Sequence, residues 1–227
     1  MRSRALFLFL FLGWVSVSFA DEDVTHSNVT HYNPATYIYI ARTGMQFQAP
    51  HVWTYHLLEY AEQRGRWIIP DLGVYDCGHG NYRELFIGGG PVYHHGKIAT
   101  LTQELFFAQD TGAAAHGARY LWIWPVTDFQ FTPRLSAEAV VVPCLPLNRA
   151  ARIQYDFDRA KLEYALDRRF TLGGGYSASK YASDAWLSKP FLTTTVSSRL
   201  GAFEFWLQKT PGGGQIQMRY QLVHAAR

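Results

Sequence analysis

The stretch GGGQIQMRYQLV, residues 212–223, decides the fold because its polar and apolar side chains alternate. Successive side chains of an extended strand point to opposite faces, so this segment has one polar and one apolar side. The polar side carries Gln215, Gln217, Arg219 and Gln221, and the apolar side carries Ile216, Met218, Tyr220 and Leu222. A face without charge opposite a hydrated face is typical of a strand with lipid outside and a polar lumen inside.

The same period of two recurs along the chain. It is found in KIATLTQELFFA (97–108), LSAEAVVVPCLPL (135–147), ARIQYDFD (151–158), FTLGGGYSAS (170–179) and GAFEFWLQ (201–208). A soluble, calycin-like barrel also alternates, but its solvent face is usually rich in Lys and Glu, whereas these polar faces carry Thr, Gln, Gly and mixed charges. The apolar faces are strongly aromatic, as in the girdles at the two membrane interfaces. We therefore predict an all-β, antiparallel transmembrane β-barrel, with a soluble periplasmic ligand binder as the alternative.

The N-terminus predicts export. Arg2 and Arg4 precede an apolar run, Ala5–Val17, and Ser18 and Ala20 supply the small residues that signal peptidase recognises. The run is shorter than the about 20 residues that a membrane-spanning helix needs. The sequence thus predicts a signal peptide over 1–20, a tail over 21–35 and a barrel domain over 36–227, exported through the Sec pathway to the outer membrane or, in the alternative, to the periplasm.

Composition excludes one class of partner. Charged residues are 17% of the chain and aromatic residues 16%, and the formal net charge is +3. A soluble domain more often carries about 25% charged residues. No cluster of Lys and Arg is interleaved with aromatic residues, so nucleic acid is not expected to bind. The predicted partners are outer-membrane lipids and other envelope proteins.

The lengths of the connections also favour a membrane barrel, in which short turns alternate with longer loops. From a first strand near 36–48, long connections are predicted at 63–81, 109–119 and 179–189. Counting segments gives eleven strands, but single-chain bacterial barrels have an even number. We predict ten strands, with eight and twelve as alternatives. The alternation slips between Phe157 and Ala160, which indicates a β-bulge.

With these strands and the signal peptide, the chain resembles the small outer-membrane β-barrels of Gram-negative-type bacteria over most of residues 36–224. The resemblance is one of architecture and includes no diagnostic motif. The chain ends VHAAR, after Tyr220 and Leu222, instead of on the aromatic residue that is usual in such proteins.

Strand parity predicts a set of charged side chains inside the barrel. They are Glu84, Glu104, Asp128, Glu138, Arg152, Asp156, Glu204 and Arg219. The interior of a barrel of about eight strands is barely wider than its side chains, and an isolated buried charge is costly. We therefore expect a polar network that largely fills the lumen of a structural or interaction protein, or of a component of an envelope complex. A narrow passive channel is the alternative, and the surplus of carboxylates would give it a slight cation preference.

An enzyme is a weaker hypothesis. The lipid-modifying outer-membrane barrels use a His-x-Ser-Asn type motif, whereas this chain has contiguous His26-Ser27-Asn28. Ser177 has no histidine beside it in sequence. His94 and His95 are adjacent, so on a strand they would point to opposite faces. No catalytic residue, metal site or cofactor is predicted.

Two further features lie in predicted loops. Cys77 and Cys144 are the only cysteines, and export to an oxidising compartment makes them candidates for a disulfide, with two free thiols as the alternative. The long segment 63–81 is a candidate binding surface through Trp67, Tyr75 and His79, because unstructured loops of this length are uncommon without a function.

Overall fold

The computed structural model describes residues 36–48, 51–77, 82–113 and 117–225. The predicted signal peptide, the N-terminal tail and His26-Ser27-Asn28 lie outside these residues. The described residues form twelve β-strands: β1 (Thr36–Gln48), β2 (His51–Arg64), β3 (Trp67–Cys77), β4 (Tyr82–His95), β5 (Ala99–Asp110), β6 (Arg119–Thr132), β7 (Leu135–Pro146), β8 (Gln154–Ala165), β9 (Phe170–Tyr181), β10 (Leu187–Ser198), β11 (Gly201–Thr210) and β12 (Gly213–Ala225).

The strands close into one barrel. Each strand pairs antiparallel with its neighbours in sequence, and β1 pairs with β12 from Thr36↔Ala225 to Phe47↔Gly214. Closure leaves no strand edge open to other chains. The predicted all-β antiparallel barrel is confirmed, while the preferred count of ten strands is wrong and the alternative of twelve is correct. Within the described ranges, no helix has both the length and the apolar composition that crossing a bilayer requires.

The strand that sequence analysis missed is β3, which occupies most of the predicted 63–81 loop. A two-residue turn, Gly65-Arg66, joins it to β2, and Gly65 supplies the positive φ of 59° that such a turn needs. The pairing of β3 with β4 shifts between Ile68 and Asp71, at the position of Pro70. Because proline lacks an N–H and the shift breaks the alternation, the segment does not show the pattern of a strand.

The two ends of the barrel differ in their connections. At the turn end, where β1 begins and β12 finishes, the connections are 65–66, 96–98, 133–134, 166–169 and 199–200. At the opposite loop end, longer connections span 111–118, 147–153 and 182–186. The loop-end connection 211–212 is only two residues long, so the predicted alternation of short turns and longer loops is found from β4 to β11, and β3 replaces most of the predicted long loop at 63–81.

The outer surface is apolar. Leu58 is 60% exposed and Leu192 66% exposed, although both lie within strands. Exposed aromatic side chains mark both ends, with Trp67, Tyr93, Phe131, Tyr164, Phe170 and Phe203 towards the turn end and Tyr155, Tyr181 and Trp186 towards the loop end. A soluble barrel would hide such residues inside, whereas a lipid-facing surface needs them outside.

The barrel lumen as candidate functional site

A cavity of about 910 Å³ occupies the lumen. Its lining includes Gln63 and His94, close to the turn end, and Tyr82 and Asp184, close to the loop end. Side chains from both ends of the barrel therefore face the same space. The interior is not fully packed, and this space is the feature of the molecule best suited to hold or pass a solute.

The structure brings most of the predicted lumen residues together. Glu84, Glu104, Glu138, Asp156 and Arg219 line the cavity, and Asp128 and Glu204 are buried inside the barrel. Arg152 is different: it is exposed and lies in the 147–153 loop, because β8 begins only at Gln154. The placement of Arg152 in the lumen was wrong, since the strand starts later than its alternating sequence indicates.

The centre of one wall is an ion-pair network around Lys161. The Lys161 ammonium lies 3.1 Å from Glu138 Oε2, 3.0 Å from Glu163 Oε2 and 2.6 Å from Glu204 Oε1. Arg219 Nη1 lies 3.8 Å from Glu204 Oε2. Each of these buried charges therefore has an oppositely charged partner, as low-dielectric surroundings require.

The network reaches across the lumen through β8. The predicted bulge between Phe157 and Ala160 is confirmed as a register shift in the pairing with β9. It turns both Asp158 and Arg159 inward, where Arg159 pairs with Asp158 and with Glu138. Arg42 Nη1 on β1 lies 3.1 Å from Asp158 Oδ1 on β8.

The contact between Arg42 and Asp158 narrows the passage. Strands β1 and β8 are five strands apart in one direction around the barrel and seven in the other, so they are nearly opposite. A salt bridge between opposite walls must pass through the middle of the lumen. The network of Arg42, Glu138, Asp158, Arg159, Lys161, Glu163, Glu204 and Arg219 therefore both braces the barrel and obstructs part of its interior.

Neutral polar side chains extend this wall. Gln208 Nε2 donates to Ser177 Oγ at 2.7 Å, and Gln217 Nε2 donates to Gln208 Oε1 at 2.7 Å. Ser177 Oγ in turn donates to the carbonyl of Lys189. The hydroxyl of Ser177 is thus part of a hydrogen-bonded chain, and none of these partners is a histidine.

The opposite wall is acidic and largely unpaired. Asp71, Glu84 and Glu104, on β3, β4 and β5, are 2%, 4% and 5% exposed, and we call these three residues the acidic wall. Each has one buried carboxylate oxygen without a hydrogen-bond partner among the described protein atoms. Among the described residues that line the cavity, β2 to β7 contribute no Lys or Arg, whereas β1, β8, β9, β10 and β12 do. Charge is therefore segregated across the lumen.

An aromatic cluster accompanies the acidic wall. Phe86, Phe106, Trp122 and Trp124 point inward, with ring centroids 5.3 Å apart for Phe86–Trp122, 6.0 Å for Phe106–Trp124 and 5.8 Å for Trp122–Trp124. Such separations are typical of packed aromatic pairs. Phe86, Trp122 and Trp124 also line the cavity. Sequence analysis missed this cluster, because it assigned aromatic residues to the lipid-facing side.

The candidate loop surface is not a loop. Trp67 begins β3 at the turn end and faces outward, 57% exposed. Tyr75 lies on the same strand but faces the lumen, where it packs against Tyr55 and Tyr82 with ring centroids 5.8 Å and 5.9 Å apart. His79 lies outside the described residues. The structure thus places Trp67 and Tyr75 on opposite sides of the barrel wall.

The two cysteines are free thiols. Cys77 ends β3 and Cys144 lies on β7, so β4, β5 and β6 separate them around the barrel. A disulfide requires Cα atoms within about 7 Å, whereas adjacent strands are already about 4.8 Å apart. The candidate disulfide is therefore absent, and a shared rim does not bring the two thiols together.

Comparison with known proteins supports the fold. No protein-family model matches the chain, and no curated protein matches it in sequence. Among solved structures, the KdgM porin has a TM-score of 0.54 at 11% identity, covering 84% of this chain and 99% of the porin. The NanC porin has a TM-score of 0.53 at 7% identity, covering 83% and 100%. An outer membrane channel from Pseudomonas putida F1 has a TM-score of 0.57 at 9% identity, covering 89% and 100%.

At these low sequence identities, the structural similarity shows a shared fold. The chain has the architecture of small outer-membrane β-barrels, as its sequence predicted, and the structures that share this architecture include porins and a channel.

Proposed function

We propose that the protein is an outer-membrane channel that passes small solutes through a narrow, charged lumen. The observation that carries the proposal is the cavity of about 910 Å³, lined by residues from both ends of a closed barrel with an apolar exterior. The similarity in fold to porins and to an outer membrane channel supports it.

The ion-pair network sets the width of this passage. Arg42 and Asp158 meet across the lumen, and Arg159 lies beside them, 3% exposed. A solute must pass beside these side chains, which favours small molecules. The same network supports a second candidate function, a structural or interaction protein whose lumen is too full to conduct.

The charge of the lumen favours cations. Arg42, Arg159, Lys161 and Arg219 all have acidic partners, whereas the acidic wall has no cationic partner. A structure of the KdgM porin in complex with oligogalacturonate shows that protein with a polyanion. In this chain an anion would meet unpaired carboxylates, so small cations and neutral solutes are the proposed cargo.

Single-channel recording in planar bilayers tests the proposal. The wild-type barrel should give small, discrete conductance steps. The double variant Arg42→Ala/Asp158→Ala should give larger steps, because it removes both ends of the bridge and leaves no new unpaired charge at that position.

The matched control is Asp76→Ala/Arg83→Ala. This pair joins β3 to β4 at 2.6 Å, but the Arg83 side chain is 52% exposed. Its removal should leave the conductance at the wild-type value. Closed membrane barrels often migrate differently on SDS gels before and after boiling, which shows that a variant is folded. If the wild type and the lumen variant both show this shift but neither conducts, the channel proposal fails and the structural role takes its place.

A further inference from the structure

We infer that the lumen holds a binding site for an organic cation with an apolar body, formed by the acidic wall and the aromatic cluster. The inference rests on the proposed channel, since it names the class of solute that this lumen retains and passes. The site lies on β3 to β6, opposite the ion-pair network.

The first argument is the lack of positive charge around three buried carboxyl groups. Asp71 interacts electrostatically with the acidic residues Glu59 and Glu104, and Glu84 accepts a hydrogen bond from the Tyr82 hydroxyl at 2.8 Å and interacts with Asp110. Asp71 and Glu104 are also within hydrogen-bonding reach of each other. Two carboxyl groups held together in a buried site repel each other when both are ionised, and a cation or a shared proton between them relieves that repulsion.

The protein's own lumen cations lie on other strands: Arg42, Arg159, Lys161 and Arg219 belong to the ion-pair network, and Lys180 and Lys189 lie on β9 and β10. Lys161 lies within 3.1 Å of three carboxylates, and Arg42 and Arg219 are paired with Asp158 and Glu204. Asp71 Oδ1, Glu84 Oε1 and Glu104 Oε1 have no hydrogen-bond partner among the described protein atoms, and all three side chains line the cavity. A buried acceptor without a partner is costly, so a cationic donor from the solute would be favoured there.

The second argument is the position of the aromatic rings relative to these carboxyl groups. Glu104 lies directly opposite Trp124 in the β5–β6 ladder. Asp71 is opposite Gly88, which is opposite Phe106, so the acidic pair and the rings lie at neighbouring levels. Cations bind to the faces of aromatic rings, most strongly to Trp, and the rings also accept an apolar body.

Glu84 bounds the site towards the loop end. It lies opposite Asp110 on β5, six residues from Glu104, which places the two glutamates roughly 20 Å apart along the strand. Phe86, Trp122 and Trp124 line the cavity between these levels. A cation entering from the loop end would meet Glu84 first, then the rings, and then the pair of Asp71 and Glu104.

An organic cation suits this wall better than a metal ion. No group of three or more His, Cys, Asp or Glu side chains in the described part of the chain is arranged to hold a metal. Asp71 and Glu104 come within hydrogen-bonding reach of each other with Glu59 nearby, and Phe86, Trp122 and Trp124 supply an aromatic surface beside them. Charge on one side and rings on the other match an ammonium group attached to an apolar body.

Isothermal titration of the purified barrel in detergent tests the inference without requiring conduction. The probe is benzylammonium, whose N–H groups can donate to the carboxylates, and the comparison ligands are benzyl alcohol, which is neutral, and benzenesulfonate, which is anionic. The wild type should bind the cation and should bind the other two at least about tenfold more weakly, since a charge-assisted contact contributes about 1.5–3 kcal/mol. Equal binding of all three, or stronger binding of the sulfonate, would overturn the inference.

Two variants locate the site. Asp71→Asn/Glu104→Gln should weaken benzylammonium binding by about tenfold or more, and Trp124→Leu should weaken it by roughly tenfold. The matched control is Asp156→Asn, which removes a carboxylate from the same cavity but on β8, where Lys189, Arg42 and Arg159 are the nearby cations. If Asp156→Asn weakens binding as much as the double variant, the site is not on the acidic wall.

The outcomes separate this inference from the channel itself. A barrel that conducts in bilayers but does not discriminate among the three probes keeps the proposed function and loses the organic-cation site. A barrel that binds the cation selectively but never conducts keeps the site and loses the channel.

Discussion

The two walls of the lumen bury the same kinds of groups and treat them differently. Glu204, in the ion-pair network, is 6% exposed, and Glu104, on the acidic wall, is 5% exposed. Glu204 Oε1 accepts from Lys161 at 2.6 Å, whereas Glu104 Oε1 has no hydrogen-bond partner among the described atoms. Equal burial therefore does not imply an equal role. We interpret the ion-pair network as support for the barrel and the acidic wall as the surface that meets the solute.

The largest expected effect on the free energy of unfolding comes from removing Lys161, the central cation of the ion-pair network. Lys161→Met leaves Glu138, Glu163 and Glu204 close together without the ammonium that they share. Removing one partner of a buried ion pair costs about 3–5 kcal/mol. Urea unfolding in phospholipid vesicles should show a loss of this size.

Lys180→Met is the control for this substitution, because Lys180 lines the same cavity on β9 and makes none of these contacts. It should leave the free energy of unfolding close to that of the wild type. Equal losses for both variants would mean that the network does not stabilise the barrel.

The next largest expected effect is that the same substitution, Glu→Gln, changes the free energy of unfolding differently at two positions. Glu204→Gln should destabilise the barrel by about 2–4 kcal/mol, because Lys161 and Arg219 lose a shared anion. Glu104→Gln should leave stability unchanged or raise it by about 1 kcal/mol, because it removes the ionisable group from a buried site that has no cation. The same unfolding assay measures both, and equal losses at the two positions would abolish the distinction between the walls.

The smallest expected effect on stability comes from a residue outside both walls, in the turn that joins β8 to β9. The backbone N–H groups of Arg169 and Phe170 donate to Asp167 Oδ1 at 2.7 Å and 2.9 Å. These hydrogen bonds hold the pKa of the Asp167 carboxyl below its ordinary value.

A lowered pKa means that folding favours the ionised form. The contribution is therefore present above the unfolded pKa of about 3.9 and is lost as the pH falls through the folded value. Asp167→Asn should slightly lower the unfolding midpoint at pH 7 and should match the wild type once the pH is below the folded pKa. A deficit that persists at that acidic pH would mean that the carboxylate charge is not the cause.

Much of the barrel could be predicted from the sequence, because a lipid-facing strand must alternate. The bulge at Phe157–Ala160 was also visible, since it shifts the alternation by one residue. Strand β3 was not visible, because Pro70 and the register shift after Ile68 interrupt its pattern. Because β3 was not recognised, the number of strands counted from the sequence fell short of twelve.

The site was harder to predict for a related reason. Ile38 and Ile40 line the cavity beside Arg42, while Tyr39 faces outward, so β1 is apolar on both faces and gives no parity signal. Trp122 and Trp124 likewise face the lumen, where sequence analysis expected polar groups. The alternation of side chains identified charged lumen residues on strands with one polar face. It could not identify lumen residues on strands whose inward face mixes apolar, aromatic and polar side chains.

The most direct test of the central claim is the reversal potential of the wild-type barrel in a planar bilayer under a tenfold KCl gradient. Because the four cations of the ion-pair network have acidic partners and the acidic wall has no cationic partner, we predict discrete conductance and a reversal potential displaced towards the equilibrium potential of K⁺. A reversal potential displaced towards that of Cl⁻, or a correctly closed barrel with no conductance, would contradict it.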